Sequence, residues 1–284
     1  MSVTSKRGNT MTAYPDIVRE AATALYEARR ERRQIARISE TFGIHTEQEA
    51  YAVAGINIQR RMQEGARIVG RKIGLTSKAV QKQLGVDQPD YGILLDTMEL
   101  LSGATIDMAS LVQPKAEAEI ALVADRDMDQ EGLSWGQFLT SIAYALPAIE
   151  IVDSVIENWS ITLADTIADN ASCGSYVLGL EPRKITDVSL IHSGMALSRN
   201  GAVAATGSGA ACLDSPLLSA YWLARKMIAG GSPIRAGEVI LTGALGPMIA
   251  LAAGDRIEVE IGGVGSVRCE ADGGSDGFHK RNDK

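Results

Sequence analysis

The sequence is poor in cysteine, histidine, aromatics and long apolar runs, and each shortage removes a class of protein. Its three cysteines, Cys173, Cys212 and Cys269, are scattered and lack metal-ligand spacing, so neither a disulfide framework nor a zinc site is expected. A reducing, cytoplasmic setting is the expectation. The three histidines, His45, His192 and His279, form no metal-spaced set, and no G-x-S-x-G elbow marks a serine hydrolase. The longest uncharged stretches, Gly132–Ile149 and Val239–Gly254, are broken by Pro, Gly and polar residues, short of the ~20 apolar residues of a membrane span. The opening MSVTSKRGNTMTAYPD has no apolar signal segment, so secretion is not expected. Basic residues are also in deficit: 28 Lys and Arg against 35 Asp and Glu give a net charge of −7, which argues against a broad nucleic-acid footprint. An anionic ligand must then be held locally, by one basic side chain or a metal.

What is present is a chain of 284 residues with 45% hydrophobic residues and 29 glycines, enough to bury a sizeable core and to make close backbone approaches. From Asp16 to Arg37 apolar residues recur at three and four positions, predicting an amphipathic helix. Thr46–Glu64 repeats the pattern behind a capping box of Thr46 with Glu49. Residues 1–70 therefore read as a small helical region. From 71 to 272 the texture is β-rich, with strands predicted at Ile68–Leu75, Ala104–Ile106, Glu117–Ala124, Ala148–Val152, Val177–Leu180, Ser189–Arg199, Val239–Thr242 and Arg256–Ile261. Helices are predicted at Ser134–Ala145 and Ser215–Ala229, and Asn200-Gly201 signals a hairpin. Residues 273–284 are polar and expected to be a disordered tail.

Chemistry concentrates in a few segments. If Gln113–Val123 is a strand, Glu117 and Glu119 share one face about 6.5 Å apart with Ala121 and Val123, while Ala118, Ile120 and Leu122 face the other way. That pair reads either as a solvated face carrying Glu twice or as two oxygen ligands for a hard divalent cation. Glu150 lies between Ile149 and Ile151 in a run too apolar for a comfortable surface, and a buried carboxylate needs a partner, either a basic residue or the same metal. Lys72 sits in a short run closed by glycines. Asp169–Gly174 has the composition of a ligand-contacting loop and equally of a plain turn. Cys173 reads as a small buried residue rather than a nucleophile, and the glycine-rich Gly262–Gly265 opens no helix and is not a phosphate loop.

Taken in order, KIGLTSKAVQKQLGVDQPDYGILLD (Lys72–Asp96), QPKAEAEI (Gln113–Ile120), PAIEIVDS (Pro147–Ser154) and ADNASCGSYVLG (Ala168–Gly179) closely resemble the 2-hydroxypenta-2,4-dienoate hydratase and 4-oxalocrotonate decarboxylase family of the fumarylacetoacetate hydrolase superfamily. The resemblance runs from about residue 15 to 271. It implies an α+β fold, a small N-terminal helical region followed by a β-rich domain around a mixed, rolled sheet. It further implies Glu117, Glu119 and Glu150 as ligands of Mg²⁺ or Mn²⁺, and Lys72, Asp96 and Ser172 as catalytic residues. Leu94, Leu95 and Asn170 would contact the substrate, Leu94 or Leu95 together with Asp96 forming a loop that closes over it.

The implied reaction is addition of water to a small 2-hydroxydienoate. The segment Gly70–Gly92 resembles the hydratase branch in detail, with decarboxylation of a 2-oxo-3-enedioate as the alternative. Acylpyruvate hydrolysis or a non-catalytic scaffold role fits less well. The resemblance also implies a homo-oligomer, pentamer-based, in association with an aldolase–dehydrogenase or a decarboxylase. The setting it suggests is degradation of aromatic compounds or a steroid ring.

Overall fold

The computed structural model describes residues 14–78, 81–82 and 86–273. The expected tail from residue 274 onward lies outside them. Among the described residues no helix is long and apolar enough to cross a membrane.

Helix α1 (Asp16–Glu31) buries Val18, Ala21, Ala22, Leu25 and Ala28, the stripe its spacing predicts. It stops short of Arg37: Arg32 turns left-handed, and the chain straightens so that Ile35 can bridge Ile156 through paired backbone hydrogen bonds. Tertiary pairing here overrides helical periodicity. A short α2 (Ile38–Phe42) leads to α3 (Glu47–Gln63), whose Thr46–Glu49 capping box is formed as expected. These helices pack with Ile38, Val155, Ile156 and Ile167 into one apolar cluster.

The first strand opens soon after. The large sheet contains β1 (Ile68–Gly74), β2 (Asp90–Leu95), β3 (Glu99–Leu101), β5 (Pro114–Ala124), β6 (Ile142–Asp153), β7 (Cys173–Leu178), β10 (Val239–Ala244) and β11 (Ile249–Ala250). Its order is β2-β1-β10-β5-β6-β7-β3, with β11 on β5. It is mixed, because β1 runs parallel to β10 and β3 to β7 while the other pairs are antiparallel. It is also rolled. Lys72 on β1 reaches Glu150 on β6 across two intervening strands, and Asn170, just before β7, bonds to β2 at the opposite end of the strand order.

The second sheet contains β4 (Ala104–Ile106), β8 (Gly194–Arg199), β9 (Ala202–Ser208), β12 (Arg256–Ile261) and β13 (Gly265–Ala271), in the order β4-β13-β12-β8-β9. Asn200 and Gly201, with φ of 55° and 80°, form the predicted tight turn between β8 and β9.

The helix expected over Ser134–Ala145 is only α4 (Trp135–Thr140). From Ile142 the chain joins β6, pairing Tyr144 with Val123 and Leu146 with Ala121. A short apolar run does not reveal by periodicity which structure it will take, and the neighbouring strand decides. A further short helix is α5 (Leu163–Ala168), and α6 (Pro216–Ala229) forms as predicted, with Pro at its start.

The alternation along β5 divides the core. Ala116, Ala118, Ile120 and Leu122 pack with Ile257, Val259 and Val267 of the second sheet and Leu223 of α6, while Ala121 and Val123 pack with Leu94, Leu95, Tyr176 and Leu241. Ile120 is fully buried at that junction, so Ile120→Ala should cost about 2–5 kcal/mol through lost contacts and a residual cavity. A urea titration should show a lower midpoint with an unchanged slope.

Candidate metal centre

The antiparallel register of β5 and β6 sets Glu117 opposite Glu150, and the two-residue period of β5 places Glu119 on the same face. One oxygen from each of the three carboxylates lies within 4.8 Å of the others. Glu119 and Glu150 are 0% exposed, which rules out a solvated face. Glu119 Oε2 accepts a 2.8 Å hydrogen bond from the Gly243 N–H. That contact needs glycine, because φ of 107° and a Cβ 2.3 Å from Thr76 Cγ2 would both penalise a side chain.

The other oxygen of Glu119 and both oxygens of Glu150 have no hydrogen-bond partner among the described residues. Orphaned buried oxygens on Glu119 and Glu150, converging with the half-buried Glu117 carboxylate, fit a hard divalent cation, which takes oxygen ligands. Burial, reinforced by Glu150, pushes the Glu117 carboxyl up to about 7 and raises Glu119 well above its ordinary value. A bound cation would remove that penalty.

Lys72 is buried in the same space. Its Nζ forms an ion pair with Glu150 Oε1 at 3.2 Å, without hydrogen-bond alignment, and donates a 2.9 Å hydrogen bond to the Ala171 carbonyl. Glu150 thus has the basic partner its burial demanded and remains available to a metal. Burial alone would lower the lysine pKa, but Glu150, Asp90 and Glu117 outweigh it and hold the ammonium above its usual value. Three carboxylates and one ammonium leave two formal negative charges, the complement of a dication.

The turn before β7 supplies the next residues. Asn170, Ala171 and Ser172 are all left-handed, with φ of 55°, 51° and 54°, a conformation that costs a non-glycine residue about 1 kcal/mol or more. This turn presents the Ala171 carbonyl to Lys72 and buries Ser172, whose Oγ has no partner among the described residues. Gly92 permits the approach, since a Cβ there would lie 2.5 Å from the Asn170 carbonyl oxygen.

Not every expected residue joins this site. Asp96 lies on the turn after β2, where its carboxylate accepts 2.9 Å hydrogen bonds from both the backbone N–H and Nε of Arg67, and these bonds hold its pKa low. It is engaged away from the three glutamates. Leu94 and Leu95 are buried on β2 itself, as core rather than as a closing loop. Asn170 is adjacent to the site, but its side-chain amide is committed to the backbone of Ile93 in both directions. Cys173 is buried, which pushes its thiol pKa well up, so it is no nucleophile.

The acid that sequence reasoning missed is Asp90. It opens β2 opposite Gly74, two positions along the ladder from the Lys72–Gly92 pair. It is 1% exposed, neither oxygen has a hydrogen-bond partner among the described residues, and burial raises its pKa while Lys72 opposes the rise. The signal lay in Gln88-Pro89-Asp90, where an acid follows a proline at the start of a strand. That composition is indistinguishable from a surface turn.

The profile of the fumarylacetoacetate (FAA) hydrolase C-terminal family matches residues 69–271. The chain is 51% identical over 251 residues to a 2-keto-4-pentenoate hydratase of Paraburkholderia xenovorans (strain LB400), covering 88% of this chain and 93% of that one. It is 41% identical over 248 residues to a 2-hydroxyhexa-2,4-dienoate hydratase of Comamonas testosteroni, covering 87% and 94%. The solved 4-oxalocrotonate decarboxylase from Pseudomonas putida G7, complexed with magnesium and adipate, superposes with a TM-score of 0.86 at 34% identity, covering 92% of this chain and 99% of that one. With the matched profile running through the whole β-rich part and a relative 51% identical over nearly its full length, the chain belongs to the fumarylacetoacetate hydrolase family.

Proposed function

We propose that this chain is a metal-dependent hydratase that adds water to 2-hydroxypenta-2,4-dienoate, or an alkyl-extended homologue, to give a 4-hydroxy-2-oxo acid. The observation that carries the reading is the buried convergence of Glu117, Glu119 and Glu150 beside Lys72, in a chain whose relatives at 51% and 41% identity are named hydratases. The three glutamates would hold the cation, Mg²⁺ or Mn²⁺ by the hardness of their oxygens. When bound, the ion supplies Lewis-acid stabilisation of negative charge on a substrate's carboxylate and neighbouring oxygen.

The remaining work falls to side chains of this protein. Conversion of the dienol to the product requires a proton at the far carbon of the diene, loss of the enol proton, and then addition of water across C3 and C4. Lys72, held protonated at neutral pH by its acidic neighbours, would steady the developing enolate or pass a proton. Asp90, buried near Lys72 and with its pKa raised by burial, would take a proton back. Ser172 Oγ, without a partner among the described residues, would orient water or a substrate oxygen. Decarboxylation of a 2-oxo-3-enedioate is the second reading, favoured by the 34% identity to the solved decarboxylase. Supplying each substrate with Mg²⁺ separates them: dienoate consumption without CO₂ release from the diacid is expected, and CO₂ release with an inert dienoate would reverse the assignment.

Lys72→Ala should lower kcat by about 10²–10⁴-fold with cation affinity retained, measured by calorimetry beside steady-state kinetics. Near wild-type turnover with normal metal binding would remove Lys72 from the mechanism. The glutamates give a pH prediction. Because Glu117 titrates at about 7 when folded against 4.5 when free, the metal-free fold binds more protons than the unfolded chain between those values. Its stability therefore falls as pH rises through that window. Cation binding needs the deprotonated form, so the increase in Tm produced by Mn²⁺ should be larger at about pH 8 than at about pH 5.5, and Glu119→Gln should largely abolish it. An increase that shrinks with rising pH would contradict the assigned ligands.

A further inference from the structure

The left-handed turn Asn170–Ser172 is unfavourable in itself, and it packs closely against Gly92. A cavity of about 450 Å³, lined by Leu25, Arg29, Ile58, Leu95, Asn170 and Cys173 among others, lies on one side of it. On that side Asn170 borders open space. What opposes relaxation is a set of hydrogen bonds at its start. Arg29 of α1 donates from one guanidinium nitrogen to Asp169 Oδ1 at 2.9 Å and to the Asp153 carbonyl at 2.7 Å, and from another to Asp153 Oδ2 at 3.1 Å. Asp153 ends β6, three residues after Glu150, and its carboxylate also accepts from the backbone N–H groups of Val112 and Gln113. Asp169 immediately precedes the turn, accepting from the Val155 N–H on its second oxygen. One side chain therefore ties the end of the glutamate-bearing strand to the residue just before the turn, while the Asn170 amide pins the turn to Ile93.

We propose that Arg29, together with Asn170, is a positioning residue for catalysis, so that the N-terminal helix α1, outside the matched family segment, is part of the catalytic device. Arg29 touches neither the three glutamates nor Lys72. It acts by fixing where the Ala171 carbonyl holds the Lys72 ammonium and where Ser172 Oγ stands. Lysine cannot reproduce the link, because a single ammonium lacks the planar fork that meets three acceptors on two segments. The same account makes Asn170 a clamp and not a substrate contact. The effect on turnover rests on the hydratase reading; the effect on the turn does not.

The test compares Arg29→Lys, which keeps the charge beside two buried aspartates, and Asn170→Gly, which suits a left-handed φ but removes the clamp. Arg30→Met, an exposed neighbour, is the control. Each is assayed as Mn²⁺-loaded full-length protein for kcat and KM on the dienoate, for Mn²⁺ affinity, and for hydrogen exchange of residues 168–175 by mass spectrometry. Both test variants should lose at least about 10-fold in kcat with KM and Mn²⁺ affinity within about 2-fold, and exchange in that segment should accelerate while the α6 segment is unchanged. The control should match wild type. Wild-type kcat in both variants, or a loss of kcat with unchanged exchange in the turn, would overturn the proposal. Wild-type protein inert on the dienoate would instead refute the hydratase reading, and the exchange data would still judge the clamp.

Discussion

The constraint on which this structure depends is the convergence of three carboxylates, two of them fully buried, on two adjacent strands. A carboxylate taken out of water carries a large desolvation penalty, and three together repel one another. The register of β5 against β6 makes the convergence unavoidable once Glu117 and Glu150 are paired. The surrounding structure is arranged to tolerate it: the Gly243 N–H on Glu119, the Lys72 ammonium on Glu150, and a roll of the sheet that brings β1 across to β6. Among the described residues none of these partners saturates the oxygens, and the two formal negative charges left over are the complement of a divalent cation. The demand for metal is therefore built into the sheet rather than added in a loop.

The same economy governs the turn before β7. A plain right-handed turn would relieve three residues of their unfavourable φ but would leave the Lys72 ammonium without the Ala171 carbonyl. The left-handed form is bonded at its start in two directions, to β2 through Asn170 and to β6 and α1 through Asp169 and Arg29. Strain of this kind collects where chemistry requires a group in one place. It also gives the helical region a purpose beyond covering apolar surface, since α1 supplies the one side chain that joins both segments.

Much of the fold was legible in the sequence because its signals are local. The capping box of α3, the proline at the start of α6, the Asn200-Gly201 turn and the alternation of Glu117, Glu119, Ala121 and Val123 each depend on residues a few positions apart. Where a distant partner intervened, local reading failed. Ile35 left a helical pattern to pair with Ile156, and Ile142–Ala145 left one to pair with β5. Strand β2 was hidden because Asp90–Leu95 follows a proline and mixes polar and apolar residues without clear alternation.

The sequence by itself determined the chemistry available: three glutamates at strand parity, one lysine in a glycine-bounded strand, a small polar loop, and no histidine or cysteine arrangement to compete with them. Tertiary structure decided which of two nearby acids enters the site. Asp90 and Asp96 lie at opposite ends of one short region, and only the pairing of β2 with β1 buries the first against Lys72 while Arg67 binds the second. It likewise bonded the Asn170 amide to Ile93 and drew Arg29 in from a distant helix. Such roles depend on distances through space, and those are set by the curvature of the sheet rather than by spacing along the chain.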